Sequence, residues 1–304
     1  MNRFIVVIVT CNRLELLKEC IECAKNQKTT PEKIIIVNNN STDGTRDFLE
    51  REIVQEKRFC CIHEPKNVGG AGGFADGIRQ ALKETGEWIA LIDDDAMLDY
   101  EYLFQISEAI DRHPNSRAFT GSVMAEGKID VLHRRRLKKK KSIKLTNVPI
   151  EEYKKREFFL DAASFCGLVV KKDIVKEIGL PEENFFIWND DLEYSLRIRE
   201  LTNIVNANHA ILNHKTNLYN QRESKRYLWK DYYGFRNFYY TCRKHGYLKD
   251  CMFAYLKERI RLIYWRLKKK VDQEEYDYNL KMICMAWKHA KEGKLGICNK
   301  YVPG

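Results

Sequence analysis

The chain contains no apolar run long enough to cross a bilayer, so no helical membrane span is expected. Its start lacks the layout of a secretory leader, because the strand-like stretch Phe4–Val9 is too short to act as one. A cytoplasmic chain is therefore expected. Its ten cysteines are expected to be reduced thiols rather than a disulfide framework. Cys20 and Cys23 share a Cys-x-x-Cys spacing and Cys60 adjoins Cys61, yet no second such pair and no nearby His pair completes a zinc site. The most basic stretch has no interleaved aromatic residues, which argues against specific nucleic-acid binding.

At 304 residues the chain has room for one large domain, or for a main domain with an appendage. The formal net charge of +10 favours phosphate-bearing or anionic partners, among them nucleotides and anionic lipid, without choosing between them.

The most informative stretch is Trp88–Ala96. An apolar run, Trp88–Ile92, reads as a buried strand and ends in Asp93, Asp94 and Asp95. Unpaired carboxylates are costly to bury, so three in succession must be solvated or hold something cationic. On an extended segment Asp93 and Asp95 would face one cation together. The carboxyl ends of the strands of an open α/β sheet are also where such folds bind ligands. The expectation is a metal-nucleotide site, against the plainer reading of a solvated acidic turn.

The flanking sequence supports a parallel α/β sheet. Phe4–Val9 and Lys33–Val37 read as buried strands and Phe59–His63 as a weaker one. Helical patterns follow the first strand and the glycine-rich stretch Asn67–Phe74. Strict alternation of strand and helix predicts right-handed crossovers. Asp43 or Ser41 is the candidate cap for a helix after the second strand. Gly70-x-Gly72-x-x-Ala75 fits a relaxed dinucleotide fingerprint, but it follows the third strand, and three aspartates exceed what a ribose contact needs. Its physical content is a backbone that can approach phosphate or sugar at a helix start.

Further on, Tyr100–Ile110 reads as a helix, and Ala118–Met124 and Ser164–Val170 as strands. Arg134–Lys141 is a basic run inside a polar insertion of about residues 125–157, expected to be a mobile loop. It is either plain solvated chain or a clamp for anionic lipid or an acceptor diphosphate. Phe185–Trp188 leads into Asp190, Asp191 and Glu193 at a helix start, where one Asp can serve as a cap. His209 and His214 follow. From residue 224 to 304 the chain is aromatic and basic, with helices expected near 224–245, 250–270 and 272–292. Such a tail suits a membrane interface, a helical cap or a homo-oligomer contact.

Four separated motifs then agree: Thr10–Arg13, Val37–Thr45, Asp93–Asp95 and Trp188–Glu193. In order and spacing the chain resembles the family-2 inverting glycosyltransferases of GT-A fold. Asn67–Phe74 and Tyr232–Asn237 are similar to the galactofuranosyltransferase and rhamnosyltransferase branch. The resemblance covers residues 4 to 240 and implies a GT-A domain over 1–223, with a mostly parallel Rossmann-like sheet flanked by helices, and a C-terminal helical extension over 224–304.

The resemblance also implies roles. Thr10, Asn12, Arg13, Asn38 and Asn40 would hold base and ribose; many relatives carry Asp where this chain has Asn38, whose amide can still bond a uracil or thymine edge. Asn67, Gly70 and Ala71 would approach donor ribose and sugar, with Asp94 nearer the sugar. Asp93, Asp95 and His214 would bind Mn²⁺ or Mg²⁺, Asp191 would be the general base, and Trp188, Asn189 and Asp190 would meet the acceptor. Trp188 reads equally well as a core aromatic.

The activity so implied is metal-dependent transfer of galactofuranose from UDP-galactofuranose to a cell-surface polysaccharide or lipid-linked glycan precursor. The enzyme would be cytoplasmic or peripheral on the inner membrane face. Within the class, dTDP-rhamnose or another UDP-hexose is the alternative donor. A nucleotidyltransferase would carry a Gly-rich, basic triphosphate signature near the first strand, where only Arg13 is present. A membrane- or nucleic-acid-binding module without catalysis would leave Asp93–Asp95 and Asp190–Asp191 unexplained.

Overall fold

The computed structural model describes residues 2–53, 55–139, 141–215 and 225–302. The first half runs β1 (Phe4–Thr10), α1 (Leu14–Lys25), β2 (Lys33–Asn38), α2 (Thr45–Phe48), β3 (Phe59–His63), α3 (Gly69–Ala81), β4 (Trp88–Asp93) and β5 (Ala96–Leu98). Next come α4 (Tyr102–Arg112), β6 (Ala118–Ala125), β7 (Lys128–Ile129), β8 (Arg134–Lys139), β9 (Ser142–Asn147), β10 (Glu157–Leu160), β11 (Ala162–Ala163) and β12 (Leu168–Lys171). The remainder is α5 (Lys172–Ile178), α6 (Asp190–Leu201), β13 (Ile204–His214), α7 (Trp229–Lys244), α8 (Leu248–Leu267) and α9 (Gln273–Glu292).

The main sheet has the order β10-β13-β6-β12-β4-β1-β2-β3. β4, β1, β2 and β3 are parallel, as the alternation predicts. Alternation then fails: β12 lies antiparallel between β4 and β6, and β10 is antiparallel to β13. The sheet is therefore mixed on one side of β4. β1 is buried along its whole length, which is why its sequence is continuously apolar rather than alternating. One apolar layer, including Leu17, Ile21, Ile106 and Tyr102, covers one face. Phe74, Ile78, Ile174 and Tyr194 cover the other.

The glycine-rich stretch is not a loop but the opening turns of α3. Its glycines do different work. A Cβ at Gly73 would come within 2.6 Å of Val9, and one at Gly77 would overlap Val7, so both allow α3 to lie close on β1. Gly70 faces open space.

The basic insertion is an ordered hairpin, β8–β9, that joins β11 in a small sheet; a mobile loop is excluded for its described residues, and Lys140 lies outside them. The physical reason is Arg134, which is fully buried. Its Nε donates to the Gly121 carbonyl at 2.9 Å and its Nη2 to that of Cys166 at 2.8 Å. Self-repulsion does not open the run because its first cation is spent inside the protein.

By internal contacts the chain forms two units: Met1–Arg136 with Thr146–Glu183 and Asp191–Leu218, and Leu137–Leu145 with Asn184–Asp190 and Tyr219–Gly304. The expected junction at 223/224 falls on residues outside those described. The second unit contains α7, α8 and α9. Asp272 and Glu275 cap α9 reciprocally, at 2.8 and 3.3 Å. Tyr255 stacks on Trp287 with centroids 4.4 Å apart. Among the described residues no helix is long and apolar enough to cross a membrane.

Gly77→Ala is expected to destabilise the protein by roughly 1–3 kcal/mol, because Val7 is a stiff β-branched neighbour in a filled core. Gly70→Ala should leave stability within about 0.5 kcal/mol. Urea denaturation of the two variants checks the contrast.

Candidate active site

The carboxyl ends of β1, β2 and β4 carry Thr10, Asn38 and Asp93. The chain turns immediately after Asp93, so Asp94 and Asp95 do not continue the strand alternation. Instead both reach one guanidinium: Arg13 Nη1 lies 3.2 Å from Asp94 Oδ1 and 2.7 Å from Asp95 Oδ2. The Thr10 hydroxyl donates to Asp94 Oδ2 at 2.7 Å.

The third partner arrives from the far end of the sequence. β13 pairs antiparallel with β5, setting His214 opposite Ala96, and Lys215 N donates to the Asp95 carbonyl at 2.9 Å. This places His214 Nε2 3.2 Å from Asp95 Oδ1. That oxygen is buried and faces the imidazole.

Burial and the Asp95 and Asp94 carboxylates push Asp93 up to about 7. Burial also raises Asp94, with Thr10 and Arg13 opposing it. Asp95 is lowered, because His214 and Arg13 outweigh its burial. Burial pulls His214 down, but Asp95 beside it raises it on balance.

Among the described residues no three of His, Cys, Asp and Glu converge as a metal site. The chemistry of the donor set still fits a divalent cation. Asp95 and His214 approach each other as a pair, Asp93 is two residues away, and a hard cation at a nucleotide commonly takes few protein ligands and completes its shell with phosphate oxygens.

The expected base-binding residues are largely occupied within the protein. Asn38 is buried, its Nδ2 lies 3.1 Å from His63 Nδ1, and its Oδ1 accepts from Ser41 N at 3.0 Å. Asn12 Oδ1 accepts from Thr42 N at 2.7 Å. Ser41 Oγ accepts from Asn12 N, and Asp43 accepts from Leu14 N, both at 2.9 Å. Asp43 also accepts from Thr45 N at 3.2 Å, so this candidate cap braces two helix starts. Asn40 is exposed with φ 55°. Asn67 Oδ1 accepts from Gly69 N at 2.8 Å, while Ala71 is fully buried.

Asp191 lies in the first turn of α6 and its Oδ1 accepts from Leu192 N at 2.7 Å. Burial raises its carboxyl, with Arg135 and His133 opposing. Neither neighbour was singled out from sequence. Arg135 sat unmarked within the basic run, yet its Nε is buried without a hydrogen-bond partner. His133 packs edge-on to His214, with centroids 5.1 Å apart. Glu193 is structural, a fully buried partner of Arg197 at 2.7 Å.

Trp188, Asn189 and Asp190 belong to the second unit. Trp188 is 41% exposed, which excludes the core-aromatic reading. Phe186, Trp188 and Asn189 have φ of 67°, 65° and 66°, a backbone that costs roughly 1–3 kcal/mol per residue. Asn237 on α7 holds it: Nδ2 donates to the carbonyls of Phe185, Ile187 and Trp188 at 3.0, 2.9 and 2.8 Å. Asn189 Nδ2 donates to the Gly234 carbonyl at 3.0 Å.

A cleft of about 620 Å³ lined by Glu19, Met97, Tyr100, Asn213 and Lys215 shares His214 with the cluster, but none of the three aspartates lines it.

Solved structures resemble this chain in fold. GalNAc-T7 with UDP, GalNAc and Mn²⁺ matches with a TM-score of 0.64 at 13% identity, over 96% of this chain and 56% of that one. S. aureus TarS 1–349 in complex with UDP matches with a TM-score of 0.58 at 14% identity, over 96% and 88%. The fold is that of the GT-A glycosyltransferases.

Residues 5–178, more than half of the chain, match the family model Glycosyl transferase family 2, and the chain belongs to that family. Galactofuranosyltransferase GlfT1 of Mycolicibacterium smegmatis is 26% identical over 63% of this chain and 64% of its own length. The teichoic acid poly(glycerol phosphate) polymerase of Staphylococcus epidermidis strain RP62A is 25% identical over 68% of this chain and 28% of its own. The chain thus spans less than two thirds of these relatives.

Asn237→Ala is expected to release the left-handed backbone at Phe186–Asn189 and to lower stability by roughly 2–4 kcal/mol. The loss should appear as accelerated amide exchange over 185–189, measured against an exposed control such as Lys244→Ala.

Proposed function

We propose that the chain transfers galactofuranose from UDP-galactofuranose, with inversion, to a hydroxyl of a cell-surface polysaccharide or lipid-linked glycan precursor. The observation that supports this most is the convergence of Arg13, Asp94, Asp95 and His214 at the strand ends. That arrangement suits a diphosphate and its cation. The sugar rests on similarity to galactofuranosyltransferase GlfT1.

Asp93, Asp95 and His214 would hold Mn²⁺ or Mg²⁺, which as a Lewis acid offsets negative charge on a departing diphosphate. Arg13 adds a fixed positive charge at the same place. Asp191, its carboxyl raised by burial, takes the proton of the acceptor hydroxyl as that oxygen bonds to the anomeric carbon. The bond from the anomeric carbon to the diphosphate oxygen breaks as the new one forms, and UDP leaves with the electron pair. Attack opposite the leaving group inverts the centre, and no sugar–enzyme bond forms.

Thermal-shift binding should show a UDP-dependent rise that needs Mn²⁺ and disappears with EDTA, largest for UDP-galactofuranose. A rise with dTDP in place of UDP would move the donor to rhamnose. No response to any nucleotide would overturn the proposal.

Asp191→Asn should cut turnover by at least about 10²-fold while UDP affinity stays near that of the wild type. Loss of both would remove Asp191 as the base. Asp93→Ala and Asp95→Ala should instead abolish the Mn²⁺ dependence of UDP binding, read by titration calorimetry, and unchanged dependence in both would exclude them as ligands.

A further inference from the structure

Helix α8 is apolar on two opposite faces. One side is packed: Cys251 and Leu262 are buried, and Tyr255 stacks on Trp287. The other carries Leu248, Met252, Leu256, Ile260, Ile263 and Leu267, spaced three and four residues apart, and every one is exposed. Ile260 is 65% exposed and Leu267 77%, values that no core position shows. Phe253 and Tyr264 widen the stripe, and both are about half exposed. The helix has 20 residues, so the stripe runs for roughly 30 Å. A continuous apolar surface of this size on a charged chain marks an interaction site.

The charges around it select the occupant. Lys249, Lys257, Arg259 and Arg266 lie on the exposed surface of the helix, and Lys268, Lys269 and Lys270 follow its end. The tip of the β8–β9 hairpin belongs to the same unit and adds exposed Lys138, Lys139, Lys141 and Lys144. It is tied to the start of α8, where Ile143 N donates to Asp250 Oδ2 at 2.9 Å and Lys144 Nζ sits 4.1 Å from the Phe253 ring centre. The two acidic residues of α8 are engaged elsewhere: Asp250 in that bond, and Glu258 with Arg261 and the Tyr227 hydroxyl. A second copy of the same face would therefore set cation against cation. Apolar side chains along one line with ammonium and guanidinium groups on both sides match a lipid surface with anionic headgroups.

We propose that the exposed face of α8, together with the lysines of the β8–β9 tip, docks this chain flat on an anionic membrane surface. The apolar stripe enters the headgroup–acyl boundary while the cations pair with lipid phosphates. Among the described residues no helix is long and apolar enough to span the bilayer. With the lipid-linked acceptor that the functional proposal includes, docking also gathers enzyme and acceptor in two dimensions. The docking itself does not depend on the sugar transferred.

The test is co-sedimentation of the whole chain with vesicles of phosphatidylcholine alone and of phosphatidylcholine mixed with phosphatidylglycerol. Wild type should bind the mixed vesicles and lose affinity as salt is raised. The double variant Ile260→Glu/Leu267→Glu should bind at least about tenfold more weakly. Lys268→Ala/Lys269→Ala/Lys270→Ala should lose roughly a hundredfold. All these positions are exposed, so both variants should keep the wild-type melting temperature and UDP affinity, which separates loss of docking from loss of fold or of the nucleotide site. No binding to mixed vesicles, or equal binding by wild type and the Glu variant, would overturn the proposal. So would a dimer in sedimentation velocity that the Glu variant splits without changing vesicle binding, since the face would then join two copies.

Discussion

Three consecutive carboxylates at the end of β4 are the constraint that the surrounding structure satisfies. Charges of one sign this close and this buried repel each other and cannot all be held without compensation. Arg13 comes from the turn after β1 and His214 from the end of β13, and each lands on Asp95. The two arrive by different routes. Arg13 is delivered by the parallel pairing of β1 with β4, and His214 by the antiparallel pairing of β13 with β5. The charge cluster thus ties the first strand in the chain to the last. Burial raises Asp93 and Asp94, whereas Asp95 falls because it alone receives both Arg13 and His214.

The same economy of charge governs the basic run. Burying one guanidinium costs several kcal/mol unless every donor finds an acceptor. Each nitrogen of the Arg134 guanidinium donates to a backbone carbonyl, and so the residue anchors a hairpin that its composition alone would leave loose. Arg135, one residue on, lies near Asp191 instead. The lysines beyond stay in solvent. One run of like charges therefore does three things: it fills the interior, tunes a carboxylate and presents a cationic surface.

The turn Phe186–Asn189 shows strain held by packing. Three left-handed residues in four, none of them glycine, persist because Asn237 and Arg236 occupy the carbonyls that the distorted backbone exposes. Tyr232–Asn237 resembles a family motif, yet the reason for an amide at 237 emerges only with its three acceptors in view.

Sequence by itself determined what depends on local pattern. Continuous apolar runs marked the parallel strands, a helical stripe marked α1, and acid clusters in fixed order pointed to the family. Tertiary structure decided what depends on pairing between distant segments. The mixed half of the sheet, the partnership of Asp94 with Asp95 on Arg13, and the structural role of Glu193 all required it. So did the separation of glycines that pack from the one that faces open space. The exposed stripe of α8 was hidden for a related reason. A helix apolar on both faces shows no single period, and only the packing of one face reveals that the other is bare.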